Sequence, residues 1–299
     1  MNLEYNKKTK NTLKKGKNNM QLFYKNILLW VIFATLFCTL FIPFFLSKEI
    51  DINSIEQPKK YWIHPPTVQH ILLCGTYQNY NMLYVILTAT KTTLKISILS
   101  LILSILGGLT LIFCNFHKNI GSYFNPIAKI MTYFPRLFFL IILTYIFKLQ
   151  ETSQLLFSTS YYLILMFGII GSFFIFSQTS PEINILQSKI YIQFSRSLGW
   201  NEFWIFLKHI LPNCPLLPIS IVKQMRDNIL FLSILTFIGC VHLQPEDLGS
   251  LICRLVNDPS VHQEGWWILF FPCFFLTWLI LLLDLMGQKI AKQKKIINP

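Results

Sequence analysis

Residues 191–213 read YIQFSRSLGWNEFWIFLKHILPN. Apolar residues recur at Phe194 and Leu198, then at Phe203, Ile205, Phe206 and Ile210, which is helical spacing. Gly199 divides the stretch into two short amphipathic pieces, and Pro212 restarts the chain. Neither piece can cross a bilayer, which takes roughly 20 apolar residues. The runs on either side, 160–176 and 216–240, are of spanning length. The quoted stretch therefore reads as part of a polar link, 177–213, between two membrane helices.

Four more apolar runs, 27–46, 94–116, 127–147 and 266–285, bring the expected spans to six. Gly107 and Gly108 lie inside 94–116, where glycine permits close backbone approach. Pro135 and Arg136 interrupt 127–147. Trp266 and Trp267 open the last run, as an aromatic belt would. The run 27–46 is too long for a signal peptide core and lacks a small-residue cleavage site, so it reads as a retained anchor. Residues 1–26 form a basic tail with seven lysines against Glu4. Residues 47–93 read as an external loop, and 241–265 as another, richer in acids.

Composition agrees with a membrane protein. Apolar residues make up 53% of the 299 and charged residues 13%, where soluble domains carry roughly 25% charged. That excludes a disordered chain and points away from a soluble enzyme. The net charge of +13 first suggests nucleic acid. Position argues otherwise. Eighteen of the 26 basic residues fall on the side of the N-terminal tail, seven on the other, and Arg136 within a span. By the positive-inside rule both termini are cytoplasmic. The expectation is an all-α membrane protein in the lipid bilayer, with 1–26 as a disordered, solvated basic cytoplasmic tail, contact of that tail with anionic lipid as the alternative, and no nucleic-acid partner.

The seven cysteines form no C-x-x-C pair, and the six histidines show no metal spacing. No P-loop, G-x-S-x-G or G-x-G-x-x-G occurs. The expectation is no catalytic residue, no metal and no cofactor. Charges inside spans usually face a bundle interior or a wet pathway. Arg136, Lys223, Arg226 and Asp227 are candidates for a translocation path, with Lys223 and Asp227 at i and i+4 and able to pair.

The link resembles the cytoplasmic coupling loop of ABC importer permeases. That family's pattern is E-A-A, three residues, Gly, then roughly ten residues to Leu-Pro. Here Gln193, Phe194 and Ser195 occupy the E-A-A positions, Arg196, Ser197 and Leu198 follow, Gly199 is the glycine, and Leu211, Pro212 and Asn213 close the loop. Lys208 to Asn213, KHILPN, resembles the R-H-x-L-P-N of the dipeptide, oligopeptide and nickel permeases. Other matches follow in order. They are His64-Pro65 with Gly75-Thr76, Ala89 to Leu94, Phe134-Pro135, and Thr236 to Gly239 with Gln244-Pro245 and Leu248-Gly249. Phe271-Pro272 and Asp284 to Gly287 complete them. Two departures stand out: Gln193 replaces the acid, and no G-R-D occurs around Tyr80 to Met82. The chain holds only four alanines, which accounts for the blurred E-A-A.

The resemblance implies a type I ABC importer permease-like bundle in the cell (inner) membrane, multi-pass, with 94–299 as the permease core. It implies a heterodimer with a second permease subunit, two cytoplasmic ATP-binding subunits and an extracytoplasmic solute-binding protein. ATP hydrolysis falls to the partner, and di- or oligopeptide is the implied substrate. A non-transporting, degenerate paralogue acting as a scaffold, and an importer of nickel or another small solute, stay open as alternatives.

Overall fold

The computed structural model describes residues 63–64, 76–77, 80–116, 126, 128, 130, 133, 135–150, 159–259, 261 and 265–297, all within the unit Ser47–Pro299. The expected tail 1–26, the span 27–46, the start of the span 127–147 and much of the loop 47–93 lie outside the described residues. Eight helices carry the described fold: α1 Met82–Phe116, α2 Arg136–Gln150, α3 Thr159–Gln187, α4 Ile190–Ser197, α5 Glu202–Ile205, α6 Leu216–Phe237, α7 Leu248–Asn257 and α8 Trp266–Ile297. A π-helical turn, Phe206–Ile210, continues α5. Ahead of α1, the two-residue strands β1 Ile63–His64, β2 Thr76–Tyr77 and β3 Tyr80–Asn81 form an antiparallel ladder in the order β1-β2-β3. A loop was the expectation there.

Among the described residues, three helices are long and apolar enough to cross a bilayer: Met82–Phe116, Thr159–Gln187 and Trp266–Lys292. The chain is thus a helical membrane protein. Helix α6 has the length, but Lys223, Arg226 and Asp227 crowd its middle.

The helix of the run 94–116 begins at Met82, so residues 82–93 are not loop. Their threonines fold back on the backbone: Thr90 Oγ1 donates to Ile86 O at 2.6 Å and Thr93 Oγ1 to Ala89 O at 3.0 Å. Satisfied in this way, a hydroxyl can be buried in a helix at little cost. Met82, Ile86 and Ala89 then pack against Leu248, Leu251 and Leu255 of α7 and Ile268 and Leu279 of α8. Within the run 127–147, a helix starts anew at Arg136, because Pro135 has no N–H to continue one. The run 160–176 extends to Gln187 through Pro181, with Ile183 and Leu186 still buried, so only 188–213 of the expected link leaves the helix. The loop 241–265 contains α7. Asp247 caps it, accepting from Gly249 N at 3.1 Å and Ser250 N at 3.3 Å, while Ser250 Oγ receives the Asp247 N–H at 3.0 Å.

Helices α1 and α3 form the tightest pair. Ser104 and Gly108 on α1 and Gly168 and Ser172 on α3 are each four residues apart, the small-residue spacing that lets membrane helices approach closely. A Cβ added at Gly107 would meet Ser172, and one at Gly168 would meet Leu103. Helix α6 lies against both, and its buried polar residues Ser220, Gln224 and Asn228 fall at four-residue steps, with Ser233 and Thr236 buried further along. One face of α6 is therefore polar and turned inward, where every group needs a partner.

Candidate functional site

Residues 188–215 fold onto the ends of α1 and α3. Ile192, Ile205, Phe206, Ile210 and Cys214 are buried there with Ile112, Phe116, Ile175, Phe176 and Ile183. Phe113 meets Phe203 and Phe206 edge-on at 5.8 and 5.5 Å. That inner face uses one apolar side of each short helix. The outer side is apolar too: Ile190, Phe194, Leu198 and Trp204 are all exposed, Ile190 by 84% and Phe194 by 62%. Exposed apolar side chains on a packed base form a surface that lipid or another protein can cover.

Local chemistry fixes the turn between the two helices. Gly199 has φ of 77°, and nothing lies within 4 Å of where its Cβ would be. Glycine is needed there for its backbone, not for space. Asn201 caps α5 by accepting from Phe203 N at 3.2 Å. Arg196 and Glu202 close the turn as an ion pair at 2.9 Å, and the guanidinium carbon of Arg196 stands 4.9 Å from the ring centre of Phe116.

The remaining expected loop residues take distinct places. Gln193 is exposed, its Nε2 donating to Ser188 O at 3.4 Å. Ser195 Oγ donates to Tyr191 O at 2.8 Å. Leu211 is half-buried, and Pro212 and Asn213 are exposed, with Asn213 Nδ2 donating to His209 O at 2.7 Å. At the exit, Glu182 of α3 accepts from Cys214 Sγ at 2.9 Å and from Leu216 N at 3.0 Å, placing a carboxylate at the N-terminus of α6. Glu182 is the residue that sequence reasoning missed here.

The four charged candidates come together only in part. Asp227 does not pair with Lys223. It pairs with Arg136 at 3.1 Å and with its neighbour Arg226 at 2.8 Å. The spacing argument failed because a guanidinium from α2 reaches the carboxylate and holds it with two-sided support. Arg136 Nη2 also donates to Gln224 Oε1 at 2.9 Å, and the guanidinium carbon lies 4.2 Å from the ring centre of Phe174. Arg226 reaches across to Asp284 of α8 at 2.7 Å, and Gln288 Nε2 donates to Asp284 at 2.9 Å.

On the other side, Gln224 Nε2 donates to Asn228 Oδ1 at 2.8 Å and Asn228 Nδ2 to Ser100 Oγ at 2.9 Å. One hydrogen-bonded chain thus joins α1, α6, α2 and α8. Its ionic part alternates Arg136, Asp227, Arg226, Asp284 and is neutral. Lys223 is exposed and borders a cavity of about 250 Å³ together with Arg226 and Asp284. Gln224 and Asn228 had a readable signal in the four-residue polar stripe of α6.

Three stretches singled out in the sequence also meet. Leu248 N donates to Thr93 Oγ1 at 3.0 Å, and Thr236 Oγ1 donates to the buried Asp247 at 2.7 Å. No group of three or more metal-ligating side chains occurs among the described residues.

No protein-family model matches the chain. Similarity is found with proteins provisionally named peptide transport system permease proteins in Brucella suis biovar 1, Brucella abortus biovar 1 and Brucella melitensis biotype 1. Each is 31% identical over 106 residues, 35% of this chain and 35% of the relative. The matched part thus spans about a third of the length of these relatives. The likeness supports a relation to ABC permeases, and it stops at that level.

Proposed function

We propose that this chain is the permease subunit of an ATP-driven importer of di- or oligopeptides. In this reading it crosses the cell (inner) membrane six times with both termini in the cytoplasm. It pairs with a second permease, is driven by two cytoplasmic ATP-binding subunits, and receives substrate from an extracytoplasmic binding protein. The observation that carries the reading is the double-sided segment 188–215. Its inner face is packed on α1 and α3, and its outer face exposes Ile190, Phe194, Leu198 and Trp204. A short amphipathic helix of this kind lays its apolar face in a partner's groove. Because Glu182 binds the exit of the segment to α3, a push on the segment would move α3 and α6 together. The peptide substrate rests on the names of the partial relatives.

The reading is tested by affinity purification of the tagged chain from its native membrane, followed by uptake of labelled di- and tripeptides. Recovery of an ATPase with the chain and loss of uptake on deleting the chain are expected. Recovery without an ATPase, and unchanged uptake, would favour the scaffold reading. Gln193 favours that alternative, since an amide there lacks the charge-assisted part of a carboxylate's hydrogen bond.

A further inference from the structure

Asp227 has two bound partners, Arg136 and Arg226, and a spare one. Of the bound partners, Arg136 comes from α2, at 3.1 Å. The spare is Lys223, one turn before Asp227 on α6 and exposed on the wall of the cavity between α6 and α8. Side chains at i and i+4 of a helix are within reach of each other. The carboxylate itself is largely shielded, its side chain 15% exposed, and Arg136 is 11% exposed.

These facts impose a condition on any movement of α2 away from α6. Pulling Arg136 off leaves a poorly hydrated carboxylate short of a counter-charge, and a broken buried pair is strongly destabilising. Arg226 stays bound to Asp227 through Nε and Nη2, but its single charge also serves Asp284 at 2.7 Å, so the cluster is left with one carboxylate in excess. Lys223 has room to move, since the cavity of about 250 Å³ opens beside Arg226 and Asp284.

We propose that Asp227 is the pivot of a partner-exchange switch. In the conformation described, it binds Arg136 and ties α2 to α6. When the two helices part, the Lys223 ammonium turns in from the cavity and replaces the guanidinium. The carboxylate keeps its counter-charge in both states, while Arg136 departs with α2. The groups facing Asp227 in the exchange are Arg136, Arg226 and Lys223, with Asp284 behind Arg226 and Gln224 beside Arg136. The pairing visible in the sequence and the pairing in the structure are then two positions of one device. Its use in alternating access rests on the transport reading above.

The test uses Lys223→Met, which keeps the length of an exposed side chain and removes its charge. Spin labels at exposed Ile142 on α2 and Phe237 on α6 report the helix separation in the full complex, reconstituted in lipid nanodiscs, without nucleotide and with ATP and vanadate. The wild type should show two distance populations, and K223M only the one without nucleotide. Uptake should fall at least tenfold, with the thermal midpoint unchanged, and Lys223→Arg should restore both readouts. Two populations in K223M, or a single population in the wild type under every condition, overturns the switch. Two populations that K223M reduces to one, in a chain that takes up no peptide, uphold the switch and remove the transport reading.

Discussion

Glu182 and Cys214 meet at 2.9 Å across 32 residues of chain, the carboxylate of α3 accepting from the thiol that precedes α6. Burial comes first and the Glu182 bond second in pushing the Cys214 thiol up from 9.0 to about 12. At pH 8 the thiolate is then about one part in ten thousand, and the thiolate is the reactive form. Cys214 should resist maleimide at pH 8 in the folded protein, and Glu182→Ala should speed its labelling at least tenfold. Peptide-resolved mass spectrometry of the labelled protein separates Cys214 from the other cysteines.

The same pair sets a pH dependence. The folded thiol holds its proton more tightly than the unfolded one. Its contribution is therefore fully present below about pH 9 and is lost as the pH rises toward about 12. Thermal midpoints in detergent should fall more steeply above pH 9 in the wild type than in Cys214→Ser, which keeps the donor but does not titrate there. Parallel curves for the two proteins refute the assignment.

Gly199 should tolerate Asn better than Ala, and Ala better than Val. At φ of 77° with open space around it, the strain is in the backbone alone, about 1–2 kcal/mol for an ordinary residue and more for a β-branched one. Gly199→Val should abolish uptake while the amount in the membrane fraction holds. Normal uptake by G199V counts against a coupling role.

Phe194 and Trp204 are exposed by 62% and 59%, so changing them should leave the fold intact. Phe194→Asp with Trp204→Ala should weaken capture of the ATPase subunit at least tenfold, the order of a lost interface hot spot. An unchanged thermal midpoint with weakened capture identifies the surface. Unchanged capture removes it from the interface.

Arg136→Gln or Asp227→Asn alone leaves a shielded charge short of a partner and should cost up to about 3–5 kcal/mol. The double change removes both charges and should recover part of that loss. A denaturation-based double-mutant cycle in mild detergent measures the coupling, and additive effects would contradict the pairing.

Much of the fold was legible from hydropathy. The runs 94–116, 160–176 and 266–285 all lie in helices of spanning length, because a lipid-facing helix must be apolar over a stretch that composition reveals. The two amphipathic pieces around Gly199 were legible for the same reason, since period and a positive-φ glycine are local. The extension of α1 back to Met82 was not. Thr90, Thr92 and Thr93 look polar in sequence, and only their back-bonds and the covering of α7 and α8 make them interior residues. Helix α7 stayed hidden because the acids around it read as loop, and the capping function of Asp247 appears only with its partners in place.

The charged site divides in the same manner. That Arg136, Arg226, Asp227 and Asp284 are costly in an apolar chain, and so must find partners, follows from residue type and position alone. Which partners they find does not. Helical spacing offers Asp227 the nearby Lys223, at i and i+4, but packing brings Arg136 from 91 residues away on α2. A planar guanidinium that also binds Gln224 and stacks on Phe174 holds the carboxylate better than a lone ammonium facing water. Spacing along one helix sets who can reach, and the approach of the other helices sets who binds.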